Sequence, residues 1–112
     1  MVSMKARFDD LMPTLVSHME YGVGQVAVKT IKEGDHVAQQ IRVPNSCSIG
    51  MRPARAHETI YVLEGTMTLY LNDHIEQVKK GDIVLFQEKD QFAVKNESGD
   101  DLLYLDCYGE TK

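Results

Sequence analysis

Cysteine is scarce in this chain. Only Cys47 and Cys107 occur, and neither belongs to a C-x-x-C pair, so neither a zinc nor a dithiol redox motif is indicated. Two reduced, buried thiols are the expectation. A basic excess is also lacking: the formal net charge is −5 and no arginine-rich run interrupts it, which opposes a nucleic-acid partner. No apolar run approaches membrane-spanning length, and Met1 to Arg7 lacks the apolar stretch of a signal peptide. The expectation is a cytoplasmic protein with no membrane partner, a compartment that suits reduced cysteines. A long helical period, an internal repeat and low-complexity tracts are missing as well, which removes helical bundles and solenoids from consideration.

What is there is ordinary globular material. The 112 residues are 43% apolar and 26% charged, enough for one core without a disulfide or a structural metal. The first residues mix Phe8, Leu11, Met12, Leu15 and Val16 with Asp9 and Asp10, a spacing that suits one short helical turn before Pro13. Residues 1–23 read as an arm packing on the domain formed by residues 24–112. From Gly24 the pattern becomes short β-rich runs: residues 25–31, 37–43, 46–50, 59–64, 67–71, 75–78, 83–86, 92–95 and 102–108. Turn-forming clusters such as Glu64-Gly65-Thr66, Asn72-Asp73 and Lys80-Gly81-Asp82 separate them, and an all-β sandwich or barrel follows.

Two segments carry a family signature. His57-Glu58-Thr59-Ile60-Tyr61-Val62-Leu63-Glu64-Gly65 resembles the end of the first cupin motif, with six residues between Glu58 and Gly65. After fifteen intervening residues, Gly81-Asp82-Ile83-Val84-Leu85-Phe86 resembles the opening of the second motif, with Asn96 at its close. The resemblance, spanning roughly Gly24 to Tyr108, implies a small single-domain cupin: a jelly-roll barrel, or double-stranded β-helix, preceded by a short arm.

Metal-bearing cupins place two histidines, separated by one residue, ahead of the glutamate and a third inside the second motif. Here Arg52 and Ala54 stand in the first pair's place (Met51 and Pro53 with one more residue of loop), and Phe92 in the third. Of the four ligands the resemblance implies, only Glu58 remains. A carboxylate facing a guanidinium and an aromatic ring is a poor transition-metal site, because arginine repels the cation and offers no lone pair. The expectation is therefore no metal and no cofactor. Joint coordination by His57 and Glu58 is the weak alternative, and it would need a bulge, because adjacent strand residues point to opposite faces.

The expected inward positions are Arg52, Glu58, Ile60, Val62 and Phe92, a mostly apolar cavity with one acid and one base at its mouth. An Arg52–Glu58 ion pair would be structural in the plainest case. In a ligand-binding case Arg52 takes a carboxylate or phosphate, Glu58 accepts a hydrogen bond or acts as a base, and Gln40 and Arg42 add contacts if they face inward. Cys107 has no histidine placed to activate it and is not read as a nucleophile. The expected function is binding of a small anionic or sugar-like metabolite without metal. The alternatives are a metal-independent isomerase, epimerase or lyase using Glu58 as catalytic base, or a metal-dependent dioxygenase or decarboxylase with ligands such as His57, His36 or Cys47. A homodimer, burying the arm and exposed strand edges, is the expected assembly.

Overall fold

The period-two alternation becomes strands throughout. The structure, a computed structural model, describes residues 5–110. Its strands are β1 (Thr14–Ser17), β2 (Gln25–Glu33), β3 (His36–Val43), β4 (Ser48–Pro53), β5 (Ala56–Glu64), β6 (Thr66–Leu71), β7 (His74–Lys79), β8 (Ile83–Leu85), β9 (Gln91–Lys95) and β10 (Leu102–Gly109). They form a six-stranded sheet in the order β1-β2-β3-β10-β5-β8 and a four-stranded sheet in the order β4-β9-β6-β7. Every pairing is antiparallel. The fold is the all-β jelly-roll barrel that the sequence implies.

The apolar members of each alternation meet between the sheets. Val26, Ile41, Val43, Ile60, Val62, Leu102 and Tyr104 from the larger sheet pack against Met67, Leu69, Phe92 and Val94 from the smaller one, all at most 4% exposed. Each such side chain stabilises the fold by roughly 1.5–3 kcal/mol relative to exposure. Asn96 closes the second motif and is fully buried. Its amide donates to the carbonyls of Val43 (2.8 Å) and Asp100 (2.7 Å), while its oxygen accepts from the Ser98 amide and hydroxyl. A short polar side chain thereby satisfies the backbone where the chain leaves β9, as a buried polar group requires.

Two glycines are dictated by the backbone. Gly65 joins β5 to β6 at φ +83°, where a Cβ would stand 2.5 Å from the Asp101 carbonyl oxygen. Gly50 in β4 lets the turn at Met19–Tyr21 lie flat on that strand, because a Cβ there would fall 1.8 Å from the Glu20 carbonyl oxygen.

The arm is more regular than its composition suggests. The turn expected ahead of Pro13 is a single 3-10 turn over Phe8–Asp10. After it, β1 pairs with β2 from Thr14↔Val28 to Ser17↔Gln25, so the arm supplies the edge strand of the larger sheet. Residues 1–4 of the arm and 111–112 of the barrel segment lie outside the described residues. No helix among the described residues is long and apolar enough to cross a membrane.

One strand begins earlier than its hydrophobic pattern shows. The sequence starts it at Thr59, but β5 begins at Ala56 and takes in His57 and Glu58. Its register against β10 shifts between Thr59↔Cys107 and Ala56↔Gly109, so two residues of β5 oppose Tyr108 alone. His57 adopts φ +54° at this bulge and stays exposed, while Glu58 is 1% exposed. Glu58 points inward with the same alternation as Ala56, Ile60 and Val62.

Candidate functional site

A buried glutamate needs a partner, and three strands provide it. Arg52 reaches inward from β4, opposite Phe92 of β9 in the register of the smaller sheet. Its guanidinium grips Glu58 with both nitrogens, Nη1 to Oε1 at 2.9 Å and Nη2 to Oε2 at 2.6 Å. Nη2 also donates to Asp106 Oδ2 of β10 at 3.2 Å, and Nη1 to the Pro53 carbonyl at 3.0 Å. The Arg55 backbone amide adds a further bond to Glu58 Oε1 at 2.8 Å. One face of the guanidinium rests 4.6 Å from the centre of the Phe92 ring, which itself stacks on Phe86 at 4.3 Å. The side chains of Arg52, Glu58 and Asp106 are 10%, 0% and 2% exposed, so the two carboxyls are buried and Arg52 alone reaches the surface.

The two carboxyls are pushed in opposite directions. Burial alone would raise the Glu58 pKa, but the hydrogen bonds from Arg52, Asp106 and the Arg55 amide outweigh it and hold Glu58 below the usual carboxylate range. Burial dominates at Asp106 and, with the adjoining Glu58 carboxylate, pushes its pKa up to about 9. The 3.2 Å contact with Arg52 pulls the other way. We read Asp106 as the protonated member, because the fork of Arg52 is committed to Glu58 and a neutral Asp106 can donate a hydrogen bond to the Glu58 carboxylate. One guanidinium, one carboxylate and one neutral acid then leave no net charge in the core, as burial demands. The same burial raises the neighbouring Tyr104 hydroxyl well above its ordinary value.

Inside this cluster there is almost no space. A cavity of about 10 Å³ lies among Gln39, Ile41, Arg52, Phe92, Tyr104 and Asp106, about the room one water needs. The expected interior pocket is therefore filled by the protein's own side chains. Outside it the mouth is open. A cleft of about 820 Å³ is lined by Arg52, Arg55, Lys89, Glu20, Glu88 and Tyr108. The exposed Arg55 guanidinium lies 4.5 Å over the Tyr108 ring.

The sequence-derived positions divide accordingly. Arg52, Glu58 and Phe92 come together in the inner cluster, and Glu58 is in no position to meet a substrate directly. Gln40 and Arg42 alternate with buried Ile41 and Val43, which turns them to the outer face; Arg42 pairs there with Asp101 at 3.3 Å. Gln39, one residue earlier, is the inward one. His57 lies on the opposite side from Glu58, beside Cys107 and His36 in a separate surface groove. The residues missed were Asp106 and Arg55. Asp106 was legible, since Leu102, Tyr104 and Asp106 share one face of β10. Arg55 owes its role to a loop position that no periodicity encodes.

The residues at the inner cluster do not fit a transition metal. No imidazole is present, the guanidinium is bonded to both carboxyls, and no group of three or more His, Cys, Asp or Glu among the described residues is arranged to hold an ion.

The fold has many counterparts. The chain is similar in structure to a protein described as a predicted oxalate decarboxylase from Thermotoga maritima (TM-score 0.85, 21% identity, 93% of this chain and 96% of that one). It is similar also to the polyketide cyclase RemF from Streptomyces resistomycificus (TM-score 0.77, 17% identity, 96% and 80%). A third is an RmlC-like cupin from Methanocaldococcus jannaschii (TM-score 0.74, 18% identity, 97% and 92%). At these identities the likeness concerns the fold. No curated protein matches the chain significantly in sequence. The family model of the cupin domain matches residues 41–108, more than half the chain and both motif segments. The chain belongs to the cupin domain family.

Proposed function

We propose that the protein binds a small acidic, hydroxylated metabolite, of the sugar-acid or hydroxy-acid class, in the cleft at the barrel mouth and without a metal. The observation that carries this reading is the contrast between a closed interior of about 10 Å³ and a polar mouth of about 820 Å³. At that mouth Arg55 and Lys89 are the cations not committed to the inner cluster. Arg55 is pre-ordered on Tyr108, so little side-chain freedom is lost when its fork takes a carboxylate. Glu20 and Glu88 line the same cleft and accept hydrogen bonds from hydroxyls, which favours a ligand carrying both an acid and alcohols over a simple dianion.

Calorimetric titration with gluconate, glucose and oxalate tests the reading. Gluconate is expected to bind best, glucose weakly because it lacks the acid, and oxalate weakly because it faces Glu20 and Glu88. Arg55→Ala together with Lys89→Ala is expected to weaken gluconate at least about tenfold, the scale of one lost charge-assisted bond. Absence of binding by all three, or binding indifferent to both substitutions, would sink the proposal.

An enzymatic reading draws on one observation, the pairing of an ionised Glu58 with a protonated Asp106, since two carboxyls held in different states are how acid–base pairs are built. Against it, Arg52 is bonded to both carboxyls, and the cavity beside the cluster is only about 10 Å³. Loss of a substrate-derived proton on incubation in deuterated buffer would favour it.

We also propose a homodimer formed through the arm. β1 ends the larger sheet, and the exposed Met12, Leu15 and Val23 lie in or beside it. Pairing such an edge with its copy buries both its backbone and its apolar side chains. Sedimentation should give twice the chain mass, falling to the monomer in Leu15→Lys; a wild-type monomer at micromolar concentration contradicts it.

A further inference from the structure

The inner cluster is built around a cation of one particular shape. Its hydrogen-bond partners are the two oxygens of Glu58, at 2.9 and 2.6 Å from separate nitrogens, with Asp106 Oδ2 at 3.2 Å and the Pro53 carbonyl at 3.0 Å. Its out-of-plane partner is the face of Phe92 at 4.6 Å, held flat by Phe86 behind it. A planar, delocalised cation needs both features: a fork of acceptors around its edge and an aromatic surface under its face. A spherical metal ion makes no use of the aromatic face and would ask for further lone pairs that the cluster lacks.

We propose that Glu58, Asp106 and Phe92 form a guanidinium-binding site whose resident ligand is the chain's own Arg52. The site spans the barrel: Arg52 belongs to β4 of the smaller sheet, Glu58 and Asp106 to β5 and β10 of the larger. Occupancy therefore clasps the two sheets together at the end where the mouth opens. The site adjoins the cleft proposed for metabolite binding, whose wall Arg52 also forms, but its test does not depend on that proposal.

Arg52→Ala empties the site while leaving its walls. The variant is expected to melt below wild type and to recover part of the loss, a rise of a few degrees, in millimolar methylguanidinium. Methylammonium, with the same charge and no fork, should not restore it. Neither cation should move wild type or the double variant Arg52→Ala, Glu58→Gln. Neither wild type nor Arg52→Ala should retain stoichiometric manganese, iron, nickel or zinc after incubation and desalting. Equal rescue by the two amines, no rescue by either, or one equivalent of metal in Arg52→Ala overturns the proposal. Should Arg52→Ala fail to fold, Arg52→Lys keeps the charge without the fork. It is expected to melt clearly below wild type, and a melting temperature equal to wild type overturns the proposal as well.

Discussion

Arg52 and Arg55 are three residues apart, and each lies over an aromatic ring, at 4.6 Å from Phe92 and 4.5 Å from Tyr108. Their surroundings make them opposites. Arg52 is 10% exposed and bonded to two carboxyls, whereas Arg55 is exposed on the wall of an open cleft. Local chemistry is nearly the same at both; depth in the barrel decides which arginine holds the fold and which is available to a ligand. At depth each charge needs a partner because water cannot serve as one, while at the mouth solvent keeps an unpaired cation tolerable until an anion replaces it.

Substitutions that abolish this contrast should have the largest effects at depth. Glu58→Gln leaves the Arg52 cation buried without its counter-charge and is expected to destabilise the fold by about 3–5 kcal/mol in urea titration. A loss under about 1 kcal/mol would mean the cluster is wetter than its burial implies. The second effect concerns Asp106. Its folded pKa of about 9 lies above that of an unfolded aspartate, so the folded state holds a proton that the unfolded state releases between those values. Stability contributed by Asp106 is thus fully present below the unfolded pKa, about 3.9, and is lost as pH rises toward 9, with a slope of at most about 1.4 kcal/mol per pH unit. Asp106→Asn mimics the protonated acid and should remove that slope; a variant with the wild-type pH profile refutes the protonated assignment. Glu58, with its lowered pKa, acts with the opposite sign, and its contribution fades as the solution is acidified through its folded value.

Smaller effects belong to the surface. Arg55→Ala should leave the melting temperature within about a degree of wild type, because an exposed residue away from the core costs little, and should act on gluconate affinity alone. Arg42→Ala breaks only the outer pair with Asp101, whose side chains are 43% and 52% exposed. It should cost at most about 1 kcal/mol, with no effect on binding. A larger loss in either variant would erase the distinction between depth and surface.

Strand positions along the chain were largely legible because period-two alternation and turn chemistry are local properties. Val26 and Val28, Ile41 and Val43, and Ile60 and Val62 announce their faces without reference to any partner. The site was legible where it sits on such strands: Arg52, Glu58 and Phe92 were placed inward by counting from Gly65 and Gly81. It failed where parity was left open, as at Gln40 and Arg42 on β3, since a shift of one residue reverses every side chain on a strand. The volume of the interior could not be read either. An apolar cavity and a filled one share the same pattern, and only the reach of the Arg52 side chain across to β5 and β10 distinguishes them. The arm's strand β1 was obscured because its four residues expose three of their side chains and show no buried face.

The most direct test of the account is a backbone amide chemical-shift titration with gluconate. It predicts saturable shifts at Arg55, Lys89 and Tyr108 around the mouth, with Ile41, Phe92 and Val94 in the core unmoved. Shifts centred on the core residues instead would place the ligand inside the barrel and contradict the division between a sealed interior and a binding mouth.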